Sequence, residues 1–185
     1  TNPGFLYQQN TMRDALVAGI NFDIFNKHCD RVKMANIAQM VNVLQSVILT
    51  EGEKMILTPT YYAFYLYQNH QDATLIDSYL ESPLTGTEEN KVPALHESVS
   101  ISDEGHVNIT MNNLSLTESQ EVEAVFTDWV GKTVKGTILT GKMNDHNTFE
   151  NPDVVKLADF TDVTLTEKGL KFTIPPCSVL HLEVY

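Results

Sequence analysis

From Leu95 onward, apolar side chains return at alternate positions in short runs: Leu95, Val99 and Ile101, then Val107, Ile109 and Met111, then Val122, Ala124 and Phe126. The stretch Val134–Thr140, the pair Val163 and Leu165, and the triplets Leu170, Phe172, Ile174 and Leu180, Leu182, Val184 continue the pattern. Because successive side chains of a strand point to opposite faces, each run can bury one face. Turn formers separate the runs: Asp103-Glu104-Gly105, Asn112-Asn113, Gly131, Gly141, Lys168-Gly169 and Pro175-Pro176. Seven short strands spaced roughly 8–12 residues apart predict an antiparallel sandwich or jelly roll for this part of the chain.

The preceding part has a different period. Thr11 can cap a helix in which Met12, Ala15, Leu16, Gly19, Ile20 and either Phe22 or Asp23 recur at three- and four-residue spacing, ending near Lys27. Residues 32–38 are an apolar run without polar alternation, as in a parallel strand covered on both faces. Thr58-Pro59 supplies an N-cap and a proline at the first helical position, leading into the helical stretch TYYAFYLYQNH. A lone helix, strand and helix cannot complete a parallel sheet, since each inner strand needs partners on both edges. Residues 1–79 are therefore expected to be the tail of a larger α/β unit, or to borrow partners, with residues 80–185 as the sandwich. The polar stretch ESPLTGTEENKVP marks the connector.

Net charge is −12, and residues 81–185 carry most of it, with 7 basic against 17 acidic side chains. Such a balance argues against a nucleic-acid partner, whose phosphates need clustered Lys and Arg. No run reaches the roughly 18 apolar residues of a membrane span, so no membrane partner is expected. Cys29 and Cys177 sit in apolar surroundings without metal or redox spacing and are expected to be two buried free thiols. His28, His70, His96, His106, His146 and His181 lack the paired spacing of a metal site, and no phosphate loop occurs, so no cofactor is expected. The start, TNPGFLYQQNTMRD, lacks the basic and apolar regions of a signal peptide. Beginning at Thr1 rather than Met, the chain reads as an excised portion of something longer.

The stretch DRVKMANIAQMVNV, residues 30–43, poses a question of its own: it is apolar enough for a buried strand yet carries Asn36, Gln39 and Asn42. Burying an unpartnered amide costs roughly 1–3 kcal/mol. This block, together with TNPGFLYQQNTMRDALVAG, LQSVILTEGEKMILTPTYYAFYLYQNHQDA, DHNTFENPDVV and FTIPPCSVLHLEV, resembles the C-terminal portion of the α-L-arabinofuranosidases of glycoside hydrolase family 51. That resemblance implies a mixed fold: the terminal helix–strand–helix of a (β/α)8 barrel followed by an all-β antiparallel sandwich of jelly-roll type. Residues 14–27 would be the seventh barrel helix, 31–39 the eighth strand and 59–69 the eighth helix. It also implies a missing N-terminal barrel portion as partner and a homo-oligomer. Family members occur both inside cells and exported, so no compartment follows.

Barrel active sites lie at the C-terminal ends of the strands. Period two puts Lys33, Ala35, Ile37 and Gln39 on one side of the expected strand, with Gln39 at its C-terminal end. Family members use the glutamine of this block to hydrogen-bond the arabinofuranose, so Gln39 is the expected substrate-binding residue, its partner an arabinose-containing oligosaccharide. Asn42, in the loop that follows, either contacts sugar or shapes the loop.

Other polar residues read as structural: Asn36 bonding a neighbouring element, His28 compensating a helix end, Asp30-Arg31 ion-paired at the strand entry. Tyr61, Tyr62, Phe64, Tyr65 and Tyr67 read as core or interface, and Trp129 as sandwich core competing with carbohydrate stacking. The resemblance further implies retaining hydrolysis through two glutamates about 5–5.5 Å apart. Their family motifs do not occur in this sequence, so these residues alone are expected to be inactive. The alternative is a stand-alone carbohydrate-binding or oligomerisation module.

Overall fold

The computed structural model describes residues 9–127 and 131–185. Helix α1 spans Met12–Lys27, with Thr11 at its N-cap and His28 at its C-cap. The Asp14 carboxylate accepts hydrogen bonds from the Thr11 backbone N–H at 2.8 Å and from the Thr11 hydroxyl at 3.0 Å, while the first-turn N–H groups of Met12 and Arg13 donate to the carbonyls of Asp145 and Met143. Helix α2, Pro59–Tyr67, starts where Thr58 accepts a bond from the Tyr61 N–H and proline occupies the first turn. A 3-10 turn over Gln68–His70 continues it, so the helical run expected over 59–69 is present but tightens in its last residues.

The remaining elements are strands: β1 Ile48–Glu51, β2 Lys54–Leu57, β3 Thr74–Leu75, β4 Leu84–Gly86, β5 Lys91–Pro93, β6 Leu95–Ile101 and β7 Val107–Asn113. They continue with β8 Gln120–Val125, β9 Val134–Thr140, β10 Leu157–Phe160, β11 Val163–Thr166, β12 Gly169–Ile174 and β13 Ser178–Val184. All seven alternating runs are strands. The larger sheet has the order β10-β9-β13-β7-β6-β3 and the smaller β11-β12-β8, every pairing antiparallel. Two hairpins, β1-β2 and β4-β5, stand apart from both, and the second lies within the connector.

The two sheets enclose one core, in which Ile109, Met111, Leu180, Leu182 and Val184 meet Leu170, Phe172 and Ile174. A second core lies on the other face of the larger sheet. There Met12, Ala15, Leu16 and Phe22 of α1 and Ala63, Leu66 and Tyr67 of α2 pack on Leu139 and Val179. Leu139 and Val179 pair in register, and Asn112 pairs with Val179, which puts Asn112 on this face as well. Two residues along, Thr110 pairs with His181, so the sheet surface beneath the helices passes from apolar to polar.

Three expectations fail. Residues 32–38, expected as a covered strand, are irregular and mostly exposed, because no parallel strand stands beside them in the described chain. The Asn112-Asn113 turn is the end of β7, and both side chains are buried. Cys29 is exposed in the turn after α1, whereas Cys177 is buried and its thiol pushed up by that burial; both thiols are free. Trp129 lies outside the described residues. Among the described residues no helix is long and apolar enough to cross a membrane.

Candidate functional site

The helix starts and the segment that bears the amides are tied together. Asp14, already holding Thr11 through two bonds, accepts a third from Gln45 Nε2 at 2.7 Å. The Ser46 carbonyl accepts from the Thr58 hydroxyl at 2.9 Å and from Asn10 Nδ2 at 3.3 Å. Residues 40–48 are thus fastened to the N-terminal ends of both α1 and α2. The loop closes on itself through Asn42, whose backbone has φ +56°, a conformation asparagine tolerates better than most residues. Asn42 Oδ1 accepts from the Thr50 backbone N–H at 2.7 Å and Asn42 Nδ2 donates to the Thr50 hydroxyl at 2.8 Å, which engages its amide at both ends.

Gln39 precedes this clasp, is exposed, and makes no hydrogen bond within the described residues. The Ala38–Gln39 peptide is cis. Asn36 is exposed and bonds no neighbouring element, and no ion pair joins Asp30 to Arg31 among the described residues, because both follow α1 in an exposed turn. His28 stands at the C-terminal end of α1, where a histidine was expected. Of the aromatic set, Phe64 and Tyr67 stack with Phe22 at centroid distances of 4.6 and 5.0 Å, and Tyr61 meets Tyr62 edge-on, while Tyr65 is exposed.

Sequence reasoning did not single out a buried and densely bonded polar cluster between the helices and the larger sheet. Asp23, on the sheet-facing side of α1, is 2% exposed. Its Oδ1 accepts from the Tyr67 hydroxyl at 2.6 Å and its Oδ2 from Asn112 Nδ2 at 2.7 Å, and Asn112 Nδ2 also lies 2.7 Å from the Tyr67 oxygen. Burial dominates over these bonds and, helped by nearby Glu97, pushes the Asp23 carboxyl from its usual 3.8 up to about 7. Tyr67 is driven well above the usual phenol value by its own burial and by Asp23. Beside it, His70 is held by the hydroxyls of Ser100 at 2.7 Å and Thr110 at 2.9 Å, and His181 by Asn108. Desolvation lowers both imidazoles, to about 3 and about 4.

This cluster joins helices to sheet and has no open face for a substrate. Its carboxyl group is the one with a raised value among the described residues, so it marks the place where general acid chemistry would be sought first. The enclosure by Tyr67 and Asn112 assigns it instead to holding α1 and α2 on the sheet. No group of three or more His, Cys, Asp or Glu among the described residues is placed to hold a metal.

The α-L-arabinofuranosidase C-terminal domain model matches residues 1–178. An intracellular exo-α-L-arabinofuranosidase of Bacteroides ovatus is 44% identical over the whole chain, which covers 36% of that protein. A crystal structure of the family 51 arabinofuranosidase from Xanthomonas axonopodis pv. citri superposes with a TM-score of 0.95 at 44% identity, covering all of this chain and 38% of the other. The Thermotoga maritima α-L-arabinofuranosidase, solved as an arabinose complex, gives 0.85 at 28% identity, again over the whole chain and 40% of its own. The chain therefore spans little more than a third of the length of these relatives. On this agreement of sequence and architecture, the chain belongs to the α-L-arabinofuranosidase C-terminal domain family of glycoside hydrolase family 51.

Proposed function

We propose that this chain is the C-terminal part of an exo-acting α-L-arabinofuranosidase that releases terminal α-L-arabinofuranosyl groups from arabinan- and arabinoxylan-type oligosaccharides with retention of configuration. In that protein residues 1–79 complete a (β/α)8 barrel and residues 80–185 form the jelly-roll sandwich. Residues 31–39 become the eighth strand once neighbouring strands flank them. The exposed apolar side chains Val17, Ile24, Met34 and Met40 support this, since they offer a surface suited to further protein rather than to water. Gln39 and Asn42 belong to the substrate site, Gln39 bonding a sugar hydroxyl directly. With its amide engaged by Thr50, Asn42 acts on the sugar by fixing the loop that carries Gln39.

The observation that carries this reading is the Gln39 side chain, exposed and without a partner among the described residues, beside a loop bolted to two helix ends. A rigidly mounted amide with free donor and acceptor is suited to a ligand hydroxyl. The reaction's two carboxylates come from elsewhere in the protein. Glu51 and Glu53 are exposed in the β1-β2 hairpin, and Asp23 is sealed inside.

In the whole protein, Gln39→Ala is expected to lower kcat/KM for an arabinofuranoside by about 10- to 100-fold, the effect of one lost hydrogen bond to substrate. The melting temperature should change little, because the side chain makes no hydrogen bond among the described residues. Unaltered kinetics would remove Gln39 from the site. The 185-residue chain by itself is expected to show no turnover in the same assay; measurable hydrolysis by it would place the catalytic carboxylates within this sequence.

A further inference from the structure

The connection between β9 and β10 belongs to the sandwich, yet it reaches the starts of both helices. Its carbonyls at Asp145 and Met143 accept from the Met12 and Arg13 N–H groups at 2.9 and 3.1 Å. Two residues further on, Asn147 takes hold of the approach to α2. Its Nδ2 donates to the Leu57 carbonyl at 2.9 Å and to the Val155 carbonyl at 2.8 Å, and its Oδ1 accepts from the Val155 N–H at 2.8 Å. Turned over, the amide would set its oxygen against two carbonyls and its NH2 group against an N–H. Val155 thus fixes the donor toward Leu57.

The Leu57 carbonyl and the Thr58 N–H belong to one peptide group. While the carbonyl accepts from Asn147, the N–H donates to the Val47 carbonyl at 3.0 Å, and the Thr58 hydroxyl donates to the Ser46 carbonyl at 2.9 Å. The Ser46 carbonyl in turn shares a peptide group with the Val47 N–H, which donates to the Met40 carbonyl at 3.1 Å. Met40 is the chain neighbour of Gln39. Bonds therefore run without a gap from a side chain of the sandwich to the residue beside Gln39, each polarising the next. Asn147, Val155, Thr58 and Ser46 are all buried within this chain, and every bond of the path is made inside it. We propose that Asn147 is a positioning residue for the substrate loop, a role that rests on the reading of Gln39 as a ligand of the sugar. Through the 57–58 and 46–47 peptides it sets where Gln39 stands, so the sandwich takes part in sugar recognition without touching the sugar. The effect can be large, because a misplacement of about 1 Å caused far from the chemistry can cost about a hundredfold in rate.

The test is a double-mutant cycle on kcat/KM for an arabinofuranoside, run in the whole protein at a temperature where circular dichroism shows every variant folded. Asn147→Ala is expected to lower kcat/KM about tenfold. In a Gln39→Ala background the same substitution should lower it less than about twofold, because the group that it positions is gone. An amide that merely supports the fold would cost the same factor in both backgrounds. Thr58→Val removes the hydroxyl that holds Ser46 while keeping the side chain's size. It should show the same dependence on Gln39, and it carries the test if Asn147→Ala does not fold. Thr58→Ser, which keeps the hydroxyl, should recover most of what Thr58→Val loses. Equal losses in both backgrounds, or a lowered melting temperature with kcat/KM intact, would overturn the role given to Asn147 and leave Gln39 in the site. Unaltered kinetics of Gln39→Ala would instead sink the reading of Gln39, and the positioning role with it.

Discussion

Replacing Asp23 with asparagine is expected to remove a pH dependence of stability worth about 4 kcal/mol, the free-energy equivalent of a carboxyl group moved from 3.8 to about 7. The sign follows from proton counting. Below about pH 4 the carboxyl is protonated in folded and unfolded chains alike, and the contribution is fully present. Between about 4 and 7 the unfolded chain has lost the proton and the folded chain retains it, so stability falls with rising pH. Above about 7 the folded protein holds an anion 2% exposed, supported by the Tyr67 hydroxyl, the Ser98 hydroxyl and the Asn112 amide.

His70 and His181 act with the opposite sign, since imidazoles lowered by burial lose stability as pH falls below about 6.5. The two slopes overlap, and the total curve of the wild type is not diagnostic. The quantity to measure is the difference between wild type and Asp23→Asn in denaturant unfolding from about pH 4 to about pH 8. It should decline by about 4 kcal/mol across that interval, and parallel curves would show that Asp23 is ionised throughout.

The strands of the sandwich were legible because alternation is a local property: Val107, Ile109 and Met111 announce β7 without reference to anything distant. The same strand shows where local reading stops. Asn112-Asn113 has the composition of a turn, yet Asn112 is recruited by Asp23 and Tyr67, and Asn113 Nδ2 donates to the carbonyls of Glu118, Ile174 and Pro175. Partners up to 89 residues away cancel the turn preference. The β1-β2 hairpin went unread although Gly52, at φ +59°, sits at its turn, because its apolar residues stand side by side as Ile48-Leu49 and Met55-Ile56-Leu57 rather than alternating, and only Ile56 among them is buried. Residues 32–38 fail in the other direction. Their composition asks for burial on both faces, and the described chain supplies no strand to pair with them.

For the site, residue chemistry alone raised the question of why amides stand in an apolar stretch, and only the family resemblance singled out Gln39. The clasp on Thr50 that engages Asn42, and the Gln45–Asp14 bond that mounts the loop, depend on contacts 8 and 31 residues apart that no spacing rule anticipates. Asp23 was read only as a position on the helical stripe because, in sequence, it is one of several polar residues of α1, beside Asp14, Asn21 and Asn26. Its role becomes visible only when α2 and β7 are packed around it.

Gly19 turns this packing into the second large effect. Glycine within a helix costs about 1 kcal/mol relative to alanine, so Gly19→Ala would ordinarily stabilise. Here an added Cβ would stand 2.1 Å from Asn112 Oδ1 and 2.8 Å from its Cγ. A free side chain would swing aside at little cost. Asn112 cannot, because its Nδ2 is held at 2.7 Å by both Asp23 and Tyr67, and moving it breaks the bonds that join α1 to β7. The expected result is a net loss of about 2–4 kcal/mol, seen as a melting temperature lower by roughly 5–15 °C. The cause can be isolated by a double-mutant cycle. In an Asn112→Ala background the obstructing amide is gone, and Gly19→Ala should become neutral or stabilising, with a coupling free energy of about 2 kcal/mol or more. Equal costs in both backgrounds would mean that the helix meets some other obstacle at this position and that the amide is not what requires a glycine there.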